Sequence, residues 1–470
     1  MNIKTELSKK LGLFSAMFVV FASMIGSGIF GTSGEILKLV NSPFLTISLW
    51  FFYGLVALAG ALSYAELAAM MPHVGGEYVY IREIFGKLPA FLSGWVSFIV
   101  GFAAPAAASA FLSAEYTNEL LKIIAPNSTA AVFFSNADGQ KVFAIFLIIM
   151  FSLIHILSVE NGGYIQNFLT ILKLFIVFAF IFGGMLVILN NPEANVNSFT
   201  DTGSPSVNGI GPGMLLVLYA YSGWNGATYI AGEIKNPEKN VPRALFWGTF
   251  LTMIIYVLIN ILYFLAIPAD ELSGKHTVAA MTASRLFGTE ISTIFNFAFC
   301  LILLSSISAQ VMIGPRVYYA MAKDKTFFKL AGRIHPRFHT PVYSIIAQSI
   351  LSIIYIISGT FYTILIYMGF ALSIFPVITL LGLIKHRYKA GRYENPNLYK
   401  TKFFPLLQIF FILVSLYLMV FSFIENWKSC VSAILVILGG IPIYYIWQAR
   451  LSRQKLLTSL LKLTGYFLLI

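Results

Sequence analysis

Apolar runs of about twenty residues, divided by short polar segments, follow one another along the whole chain. A helix of ~20 apolar residues crosses the hydrocarbon core of a bilayer. The pattern predicts twelve such helices, at 11–40, 45–69, 89–112, 142–157, 165–189, 212–234, 244–267, 292–320, 341–357, 362–384, 403–423 and 430–447. Two of the twelve are broken. The first is interrupted by Gly26-Ser27-Gly28, and the sixth by Ser222-Gly223-Trp224-Asn225-Gly226. Glycine and small polar residues at mid-membrane leave N–H and C=O groups unpaired. Lipid cannot satisfy these groups, so such a break is tolerated where it lines a cavity or holds a solute. Interrupted helices at corresponding places in two halves are the best sequence pointer to a transporter binding site.

The expected fold class is therefore all-α integral membrane, with twelve transmembrane helices arranged as a five-plus-five inverted repeat and two extra helices. Each repeat opens on a broken helix, and an odd number of spans inverts the second relative to the first. The boundaries read 11–189 for the first repeat, 212–384 for the second, 403–447 for the extra pair and 448–470 for a tail. No segment between the spans is long enough for a separate soluble domain, so residues 1–470 form a single membrane domain. In the tail, Leu456, Leu457, Leu460, Leu461 and Leu463 recur at near-helical spacing between Lys455 and Lys462. That pattern predicts a helix lying on the inner membrane face. Residues 72–78, Pro-His-Val-Gly-Gly-Glu-Tyr, read as a turn-rich cytoplasmic loop leading into an amphipathic stretch.

Composition agrees. The 470 residues are 58% hydrophobic and 11% charged, with a mean hydropathy of +0.82, outside the range of soluble domains. Of 31 Lys and Arg residues, 24 fall in segments on the side of the N-terminus and six on the other, which predicts that both termini are cytoplasmic. The formal charge of +12 is thus an orientation signal spread over several loops, not a nucleic-acid footprint. The basic start and long first run read as a retained helix, not a cleaved leader. The two cysteines, Cys300 and Cys430, lie in or beside spans and say little about redox compartment. No phosphate-binding loop, nucleophile elbow or metal-ligand spacing occurs, so neither an enzyme nor a cofactor is expected, and transport would be driven by gradients.

The first break has a chemistry of its own. The helical half before it ends in free carbonyls near Met24 and Ile25, and the half after it starts near Ser27 and presents free N–H groups at a positive dipole end. The sixth helix runs the opposite way, and its first half ends near Tyr221 and Ser222. One cavity would then offer N–H donors to a carboxylate and two sets of carbonyls to an ammonium, which complements an α-amino acid. The plainer reading of Ser23, Ser27 and Gly31, four apart, is a small-residue face for close helix packing. The glycines flanking Trp224 read equally as a kink when taken singly.

Lys173, in the fifth span, is the one basic residue well inside a membrane segment. A cation at that depth faces a polar cavity and marks a functional candidate, unless it snorkels roughly 9 Å to the surface near Asn167. Asn225 occupies the second break without a carboxylate. His155 reads as a satisfied interior histidine or a relay, Glu66 as part of the cytoplasmic rim, and Glu233 as a solvated helix end or an inner gate.

Several stretches resemble the amino acid–polyamine–organocation superfamily: residues 24–30 (Met-Ile-Gly-Ser-Gly-Ile-Phe), Lys173, 219–225 (Tyr-Ala-Tyr-Ser-Gly-Trp-Asn) and 233–244. The run 314–324, followed by Ile334-His335-Pro336 and Thr340-Pro341-Val342, is similar to its L-type amino acid transporter branch, bacterial type. The resemblance implies a leucine-transporter-like fold and sodium-independent transport. It implies a substrate site formed by Met24, Ile25, Gly26, Ser27, Gly28, Tyr219, Tyr221, Ser222, Gly223, Trp224 and Asn225. There the Ser27 and Gly28 amides meet the carboxylate, and Tyr219 closes over the substrate. Lys173, by the same resemblance, is the coupling residue, in the space where sodium-coupled relatives hold an ion. Ser222 stands where the branch usually has glycine, which narrows the cavity. Loop 113–141 has no cysteine with which to tie a partner subunit, so a monomer or homodimer without a disulfide-linked partner is expected.

The expected function is secondary transport of neutral amino acids across a plasma membrane by alternating access, as an exchanger or a proton symporter. The expected partners are the amino acid substrate and membrane lipid. A polyamine or organic-cation carrier is the alternative within the superfamily, although cationic substrates want carboxylates at the cavity and neither break supplies one. A sensor that binds amino acids without moving them is the alternative outside it.

Overall fold

The computed structural model describes residues 11–157, 159–191, 204–358, 361–389, 398–425 and 427–467, and among these the regular elements are all helices, joined by loops and one isolated backbone bridge. The first broken span comprises α1 (Leu13–Met24), α2 (Ser27–Gly31) and α3 (Ser33–Val40), followed by α4 (Pro43–Met70). The short α5 (Glu77–Phe85) leads into α6 (Lys87–Val96), a π-helical turn at Ser97–Gly101, and α7 (Ala103–Ile124). Next come α8 (Thr129–Ser135), α9 (Ala137–Leu157) and α10 (Val159–Asn190). The second broken span is α11 (Ile210–Tyr221) and α12 (Gly226–Tyr229), then α13 (Pro237–Ala266), α14 (Ala269–Leu272) and α15 (Val278–Lys323). The chain closes with α16 (Val342–Ser358), α17 (Phe361–Lys389), α18 (Leu406–Glu425) and α19 (Trp427–Phe467).

Ten helices among the described residues are long and apolar enough to cross a bilayer, and two shorter apolar ones, Val207–Tyr221 and Val342–Ser358, bring the apolar elements to the predicted twelve. The boundaries differ where local chemistry overrides apolarity. The third span begins at Lys87 and reaches Ile124 across the π-helical turn. The eighth runs back to Val278 with a non-helical Gly288 inside it. The tail does not start a separate helix, because α19 continues without interruption to Phe467. The side chains from Arg450 onward, and with them the expected stripe on the membrane surface, lie outside the described residues.

Helix faces explain the packing. On α10, Phe168, Ile171, Phe175, Phe178 and Phe182 are more than half exposed, whereas Gln166, Thr170, Lys173, Val177 and Phe180 are buried. Both sets recur every three or four residues, so one face meets lipid and the other the protein interior. The first and sixth spans run antiparallel. Leu11 pairs with the strand-like segment after α12, through Leu11 N to Glu233 O (3.0 Å) and Lys235 N to Leu11 O (2.8 Å). At the other end Ser206 N donates to Val40 O (2.9 Å), so the sixth span starts where the first finishes. Around this pair α4 packs on α13, α7 on α15 and α9 on α16.

Candidate functional site

The two breaks meet. α1 ends at Met24 because Ile25 turns extended, and α11 ends at Tyr221, after which Gly223 takes a φ of +96°. That left-handed backbone favours glycine, and a Cβ there would lie 2.7 Å from the Ser23 Cβ. A Cβ on Gly28 would lie 2.4 Å from the Ala220 Cα. Bare backbone at both positions is what lets the broken helices touch.

Lipid-inaccessible side chains satisfy most of the carbonyls released by the breaks. Lys173 is fully buried, and its Nζ donates to Ala22 O (3.3 Å), to Ile25 O and to the Ser306 Oγ (2.9 Å). Ser306 also donates to Ile25 O (2.9 Å). Tyr256 bridges the breaks by donating to Met24 O and to Ala220 O (3.0 Å). The carbonyls near Met24 and Ile25, read from the sequence as free, are thus held by Lys173, Ser306 and Tyr256. The N–H groups are less provided for. Among the described residues, Ser27, Gly28 and Ile29 N–H have no backbone acceptor outside their own short helix. The Ser27 hydroxyl joins Tyr219 OH and lies 3.3 Å from Ser109 Oγ, tying α2, α11 and α7 together.

A cavity lies beside the second break. Ser222, Gly223, Trp224 and Asn225 line it, with Ser23, Ser97, Phe102, Tyr229 and Gln310. Met24, Ile25, Gly26, Ser27, Gly28, Tyr219 and Tyr221 are buried at the crossing and do not line it. Tyr221 donates to Trp50 O (2.9 Å) and packs its ring on Tyr256. Of the other singled-out residues, His155 hydrogen-bonds Ser308 (2.9 Å) and Glu66 accepts from Thr401 N (2.8 Å). Glu233 forms a buried ion pair with Arg316 at 3.1 Å, not a solvated helix end.

The sequence reading missed one wall of this cavity. Glu77 lines it, 5% exposed, although the segment reads as a loop and neither break carries an acid. Its Oε1 accepts from Ser93 (3.0 Å) and its Oε2 from Tyr64. Burial pushes the carboxyl up to about 7, against the two hydrogen bonds that favour ionisation. The signal available was the unbroken apolar company Tyr78-Val79-Tyr80-Ile81 immediately after it, all buried in the fold.

A cavity at two crossed, antiparallel, interrupted helices in an all-helical membrane protein defines a solute carrier. The amino acid permease family model matches residues 11–447, and the chain belongs to that family. It is 31% identical over 463 residues to a b(0,+)-type amino acid transporter 1 from Mus musculus, covering 96% of this chain and 91% of the relative. To the large neutral amino acids transporter small subunit 2 of Homo sapiens it is 27% identical over 450 residues, covering 94% and 82%. The protein is an amino acid transporter, resembling L-type relatives over nearly its whole length.

Proposed function

We propose that the protein exchanges neutral amino acids across the plasma membrane by alternating access, without sodium, and that its substrate binds where the two breaks cross. The reading is carried by one observation: the N–H groups of Ser27, Gly28 and Ile29, which among the described residues have no backbone acceptor outside their own short helix, stand opposite the end of an antiparallel broken helix. A carboxylate needs such donors, and the same helix ends supply carbonyl dipoles for an ammonium. In this reading Lys173 is the fixed cation that takes the structural place of sodium, and Tyr219 closes over the substrate on the outer side. The basic bias of the loops supports cytoplasmic termini.

The inverted repeats run 11–189 and 212–384. Support comes from the packing of spans one on six, two on seven, three on eight and four on nine, as elements related by a two-fold axis would pack. One relative is a named small subunit, but Cys300 and Cys430 here are both buried and free. Their burial supports the reading that the chain works with no disulfide-linked partner, as a monomer or homodimer. A second reading, transport of organic cations, gains support from the Glu77 carboxylate in the cavity wall.

Uptake of labelled leucine, alanine, serine and lysine into proteoliposomes tests these readings, with and without internal amino acid. Exchange predicts uptake that needs internal substrate and ignores sodium and an imposed proton gradient. Uptake into empty vesicles driven by a proton gradient would replace exchange by symport. Strong competition from amines lacking a carboxylate would favour the organic-cation reading, and binding without flux would mark a sensor.

A further inference from the structure

Among the described residues the Glu77 carboxyl carries no ionic partner, although it is buried at the cavity beside the second break. Among the described residues its contacts are neutral hydroxyls: Tyr64 from α4 and Ser93 from α6. Tyr80 on its own helix and Tyr229 on α12 are the other titratable groups facing it. Of the charged residues on the helices packed against α5, Arg316 of α15 pairs with Glu233 and Arg387 of α17 with Glu66. Arg82 pairs with Glu83 and with Asp324 at the end of α15, and Lys385 of α17 sits over the Phe85 ring. A buried carboxylate in such company is destabilised relative to its protonated form.

The same residue is coupled mechanically to the second break. Gly75 N donates to Tyr229 O (3.1 Å), and a Cβ on Gly76, whose φ is +50°, would meet Tyr229 and Thr228 at 2.7 Å. The Tyr64 ring that donates to Glu77 packs edge-on to Trp224 at 4.8 Å. Asn225 donates to Tyr229 (3.0 Å). Any movement of α12 or of the Trp224 turn therefore shifts the environment of Glu77.

We propose that Glu77 is a proton-binding site of the cavity, on its cytoplasmic side, and that its occupancy is linked to the position of the broken sixth helix. The inference rests on the transport reading and on cytoplasmic termini. In the conformation described, burial raises the carboxyl to about 7. When α12 moves and water reaches the carboxyl, its affinity for the proton falls and the proton leaves to the cytoplasm. Closure takes a proton back from cytoplasmic water. Internal acid therefore favours the buried arrangement, and internal alkali favours the open one.

Right-side-out membrane vesicles provide the test. They are loaded with unlabelled substrate at internal pH 5.5 to 8.5 and held at constant external pH, and uptake of the best labelled amino acid of the panel is measured. Wild-type exchange should change several-fold across this range, with a midpoint near 7. Glu77→Gln, which mimics the protonated carboxyl, should give a flat profile at the wild-type acid limit, and Glu77→Asp should restore a sloping one. Tyr64→Phe removes a donor that favours ionisation, so its midpoint should move to higher pH. A flat wild-type profile, or an active Glu77→Gln that keeps the slope, overturns the proposal. If Glu77→Gln does not reach the membrane, Tyr64→Phe decides, and an unmoved or lowered midpoint overturns it. No exchange by the wild type at any internal pH would instead sink the transport reading beneath it.

Discussion

Lys173 is the residue at which sequence and packing meet most directly. Its depth could be read from the apolar run around it, and its inward direction follows from the face it shares with Gln166 and Thr170. Its partners could not be read, because they depend on where α1 stops relative to α10. Lys173→Ala would leave the Ala22 carbonyl short of a donor, a penalty of ~1–3 kcal/mol for a buried group left unpaired, and would leave Ile25 O with Ser306 alone. Exchange should fall at least tenfold while membrane insertion persists, and a fully active variant would remove the residue from the transport cycle. Gly28 teaches a different lesson. Loss of transport in Gly28→Val is expected, yet it does not diagnose a carboxylate site, because even a single Cβ meets the Ala220 backbone. Competition by amino acid analogues without the carboxylate tests the cradle with the fold intact. Ser222 does line the cavity, so Ser222→Gly should extend the accepted range toward larger side chains. Unchanged selectivity across the labelled panel would show that the hydroxyl does not face substrate.

Broken helices are legible as elements because glycine clusters interrupt apolar runs, whereas α5 is legible only as an amphipathic stretch, because nine residues behind a Gly-Gly turn are too few to set it apart from the loop before it. Helix ends held by side chains far along the chain were likewise invisible. At the end remote from Leu11, His276 in the segment before α15 lies 3.5 Å from Glu35 of α3 and 3.6 Å from Glu115 of α7. The Glu115 and Glu35 carboxylates hold the imidazole in its charged form, raised to about 9 from an ordinary 6.5, and the His276 contact lowers Glu35. A raised histidine contributes stability that is fully present below its unfolded value and is lost as pH rises through the folded one. The clasp between α3 and α7 should therefore hold at neutral pH and weaken between about 6.5 and 9. In detergent, wild-type thermal stability should drop more from pH 7 to 10 than that of His276→Gln. Equal drops in both would show that the clasp contributes nothing.

The count of spans and the class of protein were legible for the whole molecule, since hydropathy acts on whole segments. Which end of the cavity is held by what was not, because it depends on contacts between segments far apart in the chain. Glu233 and Arg316 form one such contact, joining the segment after the second break to α15, beside the Leu11 strap. Arg316 is held further by Met312 O. Alternating access requires the broken helices to part from their neighbours at this end, and a buried ion pair resists that until both charges find water or new partners. Glu233→Gln removes the charge but keeps the shape, leaving Arg316 buried without its carboxylate, so the open arrangement should gain population. Ser23→Cys reports this, because Ser23 lines the cavity and both native cysteines are buried. Membrane-impermeant maleimide applied to inside-out vesicles should label Ser23→Cys several-fold faster when Glu233→Gln is also present. Equal or slower labelling would mean that the ion pair holds the fold together in every state and does not restrain opening.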